Sequence, residues 1–310
     1  MGKEALIERW NSVSKEHQYL VVNGELNAEN YPFGKTDEGK CDLRGFNFKE
    51  LPESLGKDGS ALNNVVFHNF DFSYSNFDQF KIENCQFVNC TFEAVYCRDL
   101  LDKENVFEHC QFHKVDFRRA SIGVGNSRFE NCTFKACNFM RCCFYSPQFR
   151  HVGFVDCNLR EFEFGGASFE YCLFEGSMSY VLFKGDDIKS RTNNPGYKKN
   201  EMLGVSFEKL DFYSIAFSDD CKLDHLKIKS DSNYILVKDF QFKCKKLYEM
   251  RQQYTDETIY FIELIYGIAF ERNQNSYLFN KAECIDEDSN LKEMDEVFEF
   301  LKKKAESLCQ

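Results

Sequence analysis

The chain has 310 residues, with 39 Lys and Arg against 50 Asp and Glu, a net charge of −11, and 34 Phe beside 15 Cys and one Trp. An acidic excess of this kind argues against general nucleic-acid binding, where affinity comes from neutralising phosphates. No run reaches about 18 apolar residues, so no transmembrane helix is expected.

Met1-Gly2-Lys3-Glu4-Ala5-Leu6 holds no apolar signal core, and Leu6 stands where a myristoylation motif wants Ser or Thr. Residues 2–11 predict a short helix with Leu6, Ile7 and Trp10 available to bury. Cys41-x-Leu43 and Phe46-x-Phe48 then open a five-residue rhythm. Leu51-Pro52-Glu53-Ser54-Leu55-Gly56-Lys57-Asp58-Gly59-Ser60 interrupts it, and its Pro and Gly predict a loop near 51–64.

From Val65 to Phe174 the rhythm is nearly unbroken: Cys85-x-Phe87, Cys90-x-Phe92, Cys110-x-Phe112, Val115-x-Phe117, Cys132-x-Phe134, Cys137-x-Phe139, Cys142-x-Phe144. Period five belongs neither to a helix nor to a flat strand. It fits a two-step extended piece followed by a corner, with two side chains inward and three outward. Four such pieces close a square turn of about twenty residues, and stacked turns pair as parallel strands roughly 4.8 Å apart.

Matching at twenty tests this. With one two-residue insertion at Gly123-Val124-Gly125-Asn126, one column reads Phe67, Phe87, Phe107, Phe129, Phe149, Phe169. A second reads Phe72, Phe92, Phe112, Phe134, Phe154, Phe174. The other two are mixed: Phe77, Cys97, Phe117, Phe139, Leu159, Ser179, and Ile82, Asp102, Ile122, Phe144, Phe164. Beside the second ladder runs a small-residue column led by Phe70, then Cys90, Cys110, Cys132, Val152, Cys172. Asp102 falls on an inward position; a buried unpaired carboxylate is costly, so a local bulge turning it outward is expected.

The pentads fade after Phe174, and 184–204 holds Arg191-Thr192-Asn193-Asn194-Pro195-Gly196-Tyr197-Lys198-Lys199, a polar, basic loop. Arg191, Tyr197, Lys198 and Lys199 are its candidate contact residues, since long insertions in compact domains are often functional. Val205-x-Phe207, Leu210-x-Phe212, Ile215-x-Phe217, Cys221-x-Leu223 and Leu226-x-Ile228 restore the coil for about one turn. After Val237 the pattern turns helical: Glu257 to Glu271 reads as a mostly buried helix, and Leu291, Met294, Val297, Phe298, Leu301 and Ala305 fall at helical spacing.

The pentads resemble those of the pentapeptide-repeat family over about residues 41–230, with more Cys and Phe where many members carry Ala and Leu. The resemblance implies a right-handed four-sided parallel β-helix. The chain then divides into an N-terminal cap at 1–40, since coil ends expose strand edges, the coil at 41–236, and a helical segment at 237–310. That last segment caps the coil or, through 257–308, pairs two copies.

Most cysteines take inward positions and read as small buried hydrophobes; so many unpaired thiols suit a reducing, cytoplasmic setting. His109, Cys110 and His113 do not converge, because Cys110 points in and both His sit at outward corners, so no metal is expected. Asn69, Asn89, His109, Asn131 and His151 read instead as a corner ladder. Gly123-x-Gly125 lacks the rest of a dinucleotide motif, no phosphate loop or HExxH is present, and outward-facing Cys143 has no His beside it. No catalytic or cofactor site is expected; an enzyme is a further alternative that no motif supports. The sequence therefore reads as a protein-interaction scaffold with no direct nucleic-acid or membrane contact. The alternative, implied by the resemblance to the quinolone-resistance group, is a DNA mimic acting on a type II topoisomerase. Against it, Val65 to Phe174 holds 14 acidic and 11 basic residues, nearly balanced.

Overall fold

A computed structural model describes residues 1–22, 32–50, 61–231, 233–285 and 290–308. It is a parallel β-solenoid of about eight turns with helices at both ends. Three sides are sheets and one is a line of single bridges.

The first side stacks the strands around the Phe67 column: Phe67 pairs with Phe87, then Phe107, Phe129, Phe149 and Phe169. The second side aligns Phe92, Phe112, Phe134, Phe154 and Phe174. The third carries the bridge line Asn47, Asn76, Tyr96, Asp116, Asn138, Asn158. The remaining side pairs Leu62 with Ile82, Ile82 with Asp102, and Ile122 with Phe144. Both phenylalanine ladders stack ring on ring, with centroids 4.7 Å apart for Phe107–Phe129 and 4.5 Å for Phe112–Phe134. Rings of the two ladders also meet edge to face, as Phe107 and Phe112 do at 5.7 Å, the geometry that ring quadrupoles favour.

The corners explain the outward pentad positions. Every fifth residue adopts left-handed backbone: Asn64 (φ 59°), Asn69 (62°), Tyr74 (64°), Gln79 (59°), Asn84 (54°), Asn89 (54°). Asn tolerates this region better than most residues, which suits the Asn-rich corners. Corner N–H groups still bond the next turn, Asn69 N to Val88 O at 2.9 Å and His109 N to Glu130 O at 2.9 Å. Asn89 Nδ2 also donates to Asn69 Oδ1 at 2.6 Å.

Fourteen cysteines lie among the described residues with free thiols. Cys110 donates to Phe87 O at 3.3 Å, Cys132 to Phe107 O at 3.4 Å and Cys157 to Phe134 O at 3.4 Å. Each thiol thus ties its turn to the one before through a weak bond. Burial raises the Cys85 thiol to about 11 and the Cys172 thiol to about 12.

Four expectations change. Asp102 does not turn outward: it is 2% exposed, with Gly123 N donating to Oδ2 at 2.8 Å and Asn105 Nδ2 donating to Oδ1. The Asn105 side-chain oxygen in turn accepts from Cys85 N at 2.7 Å, and its backbone N–H donates to Ser127 Oγ at 3.0 Å. The Gly123–Asn126 insertion shifts the strand register between Ser121 and Val124 and turns donors inward, so the carboxyl is partnered where it stands. Gly123 is required there, because φ is +83° and a Cβ would lie 2.5 Å from Pro147 N. Ser179 is not an inward rung; Leu159 pairs with Met178, and Phe164 with Phe183, so this turn is one residue shorter. The coil does not fade after Phe174, because Leu173–Lys184 is one continuous strand with Met178, Val181 and Phe183 buried. The expected loop near 51–64 ends early: Ala61–Asn63 is a strand, while 51–60 lie outside the described residues.

Helix α1 (Lys3–Glu8), a following 3-10 turn and α2 (Lys15–Val22) sit against the first turn. Trp10 Nε1 donates to Arg44 O at 2.9 Å and its ring meets Phe46 edge-on at 4.6 Å. Leu6 is buried but Ile7 is exposed. Arg9 forks onto Asp42 at 2.6 and 2.9 Å. Burial alone would raise the Asp42 carboxyl, yet the guanidiniums of Arg9 and Arg44 hold it well below the ordinary carboxylate range.

Beyond the coil come α4 (Phe240–Glu249), α5 (Asp256–Glu271) and α6 (Leu291–Lys302), with the antiparallel pair Tyr234–Val237 and Tyr277–Asn280. Residues 272–276 meet the last turn. Asp219 N donates to Arg272 O at 2.9 Å, Cys221 N to Gln274 Oε1 at 3.2 Å, and Leu223 N to Ser276 Oγ at 3.0 Å. Unpaired strand groups at that end are thereby covered.

Candidate interaction surface

With the inward positions filled by stacked rings and thiols, any chemistry with a partner must come from outward residues. The basic insertion is the first place to look. Its helix α3 (Ile188–Asn193) precedes a strap that folds back along the first side. Asn194 and Asn126 exchange side-chain hydrogen bonds, Gln148 Nε2 donates to Gly196 O at 3.0 Å, and Lys198 pairs with Glu170. Strap contacts therefore reach three successive turns.

All four candidate residues are engaged within the chain. Arg191 binds Asp186 at 2.7 Å and Lys199 binds Asp220 at 3.0 Å. Tyr197 Oη accepts from Asp187 N at 2.8 Å and donates to Gly185 O at 3.3 Å, closing the loop on its own base. Burial, followed by the nearby Asp186 and Asp187 charges, raises its phenol. Lys198 alone reaches a wider cluster: with Arg128, Glu130, Arg150 and Glu170 it lines a hollow of about 210 Å³. Charges there alternate, and Arg150 pairs Glu130 at 3.4 Å. Exposed pairs of this kind are worth about 0–1 kcal/mol and leave the surface free to exchange partners.

The larger feature lies on the fourth side. Arg141, Cys143, Tyr145, Glu161, Phe162 and Glu163 line a hollow of about 430 Å³. Phe162 and Glu163 also line the next hollow, of about 700 Å³, with Tyr180, Leu182, Ala216 and, at its far end, Glu271 and Arg272. Together they form one shallow groove along the later turns, ending at the C-terminal tip of α5. Tyr145 and Tyr180 line it, each about half exposed, and Tyr180 meets half-exposed Tyr213 beside it edge to face at 5.5 Å. Like charge between the two phenolates, then their hydrogen bond, raises the Tyr213 phenol.

No motif pointed to this groove. The signal available was modest: Tyr at outward pentad positions, where polar residues are the rule. Exposed Tyr is enriched in protein interfaces because it offers apolar area and a hydroxyl with few rotors to freeze. Among the described residues no group of His, Cys, Asp and Glu could hold a metal ion, and no helix is long and apolar enough to cross a membrane.

No protein-family description matches the chain, and no curated protein matches it. Solved structures similar to it include a trypsin-treated form of QnrB1, a plasmid-mediated fluoroquinolone resistance protein, at 16% identity over 61% of this chain and 89% of that one, with a TM-score of 0.35. HetL, a pentapeptide repeat protein involved in heterocyst differentiation regulation in the cyanobacterium Nostoc, is 12% identical over 62% of this chain and 86% of that one, with a TM-score of 0.25. The fold of this chain rests on its own strand register, which repeats the pentads turn by turn.

Proposed function

We propose that this pentapeptide-repeat β-helix is a non-enzymatic protein-interaction scaffold that meets its partner through the groove on its fourth side. The observation that carries the reading is half-exposed Tyr180, in a groove flanked by Arg141, Glu163, Glu271 and Arg272, with the half-exposed ring of Tyr213 packed against it. A rod of about eight turns is roughly 40 Å long at parallel-strand spacing. It holds such a surface rigid and so loses little entropy on docking. Alternating charges at the rim favour a partner read by register rather than by net charge.

The test is affinity isolation from native lysate, followed by reconstitution with the purified partner. Tyr180→Ala/Tyr213→Ala should weaken the reconstituted complex by roughly tenfold or more, the size expected of central aromatic contacts. An equally tight complex with the double variant would remove the groove from the reading. The DNA-mimic alternative is checked separately: inhibition or protection of a type II topoisomerase in a supercoiling assay would favour it over the scaffold.

A further inference from the structure

The C-terminal unit carries a second feature that capping does not use. α5 buries one stripe, Thr258, Phe261, Ile262, Ile265 and Ala269, against the rest of the unit. Its opposite face leaves Tyr260 at 70% and Leu264 at 50% exposure. Between that face, Cys284 and the start of α6 lies a cleft of about 560 Å³, floored by Phe261 and Met294 and rimmed by Asp256, Glu257 and Glu283. Its volume is within the range of sites that enclose a small ligand or an anchoring side chain.

Charge decides the occupant. α5 and α6 together hold eight carboxylates and two lysines. A second copy of this chain would bring carboxylates against carboxylates, which costs free energy at close range. Asp256 and Glu257 belong to the first turn of α5, the end of a helix where negative charge is favourably placed. Neither is in an ion pair with any described residue. Glu283 is fixed by accepting from Ser214 N at 2.6 Å, so its place at the rim is set by the coil.

We propose that this cleft docks a basic peptide segment whose apolar side chain enters between Leu264, Phe261 and Met294 while flanking Lys or Arg residues meet Asp256, Glu257 and Glu283. The proposal rests on the scaffold reading and adds a second contact, distinct from the groove. A basic partner would also be steered in by the acidic rim, at a rate that falls with salt.

A random short-peptide library is panned on the full chain and counter-selected on Tyr260→Ala/Leu264→Asp, both surface positions whose change leaves the buried stripe intact. Peptides combining Lys or Arg with Leu, Ile or Phe should be enriched and lose about tenfold or more in affinity on the variant. Asp256→Asn/Glu257→Gln should weaken them less and flatten their salt dependence. Enrichment of acidic peptides, retention by the double variant, or no enrichment at all would overturn the proposal. Light scattering runs alongside: a full-length dimer that Leu264→Asp makes monomeric would assign the cleft to a second copy. If panning fails while Tyr180→Ala/Tyr213→Ala still weakens the reconstituted complex, the cleft falls and the scaffold stands.

Discussion

Asp102 offers the sharpest test of how the coil handles a misfit. Its carboxyl lies wholly inside, and burial raises its pKa from 3.8 to about 6 despite donors from Asn105, Gly123 and Ser127. The folded chain thus holds this proton more tightly than the unfolded one. Stability from Asp102 is therefore complete below about pH 4 and is lost as pH rises through about 6. A rise of that size corresponds to roughly 3 kcal/mol. Asp102→Asn removes the titration and keeps one of the two acceptor oxygens. Denaturant midpoints of both proteins, measured from pH 4 to 7, give the difference between them at each pH. Whatever its value at pH 4, that difference should move in favour of Asp102→Asn by about 3 kcal/mol by pH 7. A difference that stays level would mean that water reaches the carboxyl and that the Gly123 insertion does not seal it.

Three further outcomes follow from the packing. Phe134 is 1% exposed and stacked between Phe112 and Phe154, so Phe134→Ala should cost about 3–5 kcal/mol in chemical denaturation, while outward Lys135→Ala stays close to wild type; equal losses would refute the register. Gln274 is fully buried and bonds both Cys221 N and Cys221 O, so Gln274→Ala should lower stability by about 1–3 kcal/mol; an unchanged midpoint would show that the end of the coil is not sealed there. Alkylation in denaturant followed by mass spectrometry should count all 15 thiols. In native Cys309→Ser protein, Cys143, the exposed thiol, should react first, and rapid labelling of Cys110 or Cys132 would contradict their burial.

The period was legible because each ladder rung repeats in the sequence what it repeats in space. Twenty-residue matching, including the two-residue insertion, places the first and second sides in the register observed. Asp102 was misplaced because its partners are not periodic: Asn105, Ser127 and Gly123 converge only through the insertion, and an extra pair of residues beside an inward acid was the available clue. Met178 replaces Ser179 because a one-residue deletion leaves the neighbouring apolar residue to fill the column. Glu257 to Glu271 reads as mostly buried from its apolar density, yet the cap covers one stripe of α5 and leaves Tyr260 and Leu264 outside. The groove could not be read, since Tyr145, Tyr180 and Tyr213 share no spacing and meet only when successive turns stack.

That last point follows from the pentad itself. Two of its five positions fill the core, and the two Phe ladders with their thiol neighbours keep those positions nearly constant along the rod. The other three meet water, and a change there alters no core contact, so their identities are free to serve a partner. A coil of this kind therefore records its fold in the residues that repeat and leaves its surface chemistry to the residues that do not. Arg141, Tyr145, Tyr180 and Tyr213 belong to the second set, as do Asp256, Tyr260 and Leu264 at the capped end. Both surfaces set exposed aromatic or apolar groups in a concave site beside fixed charge. Solubility alone gives no reason for that arrangement, and a partner does.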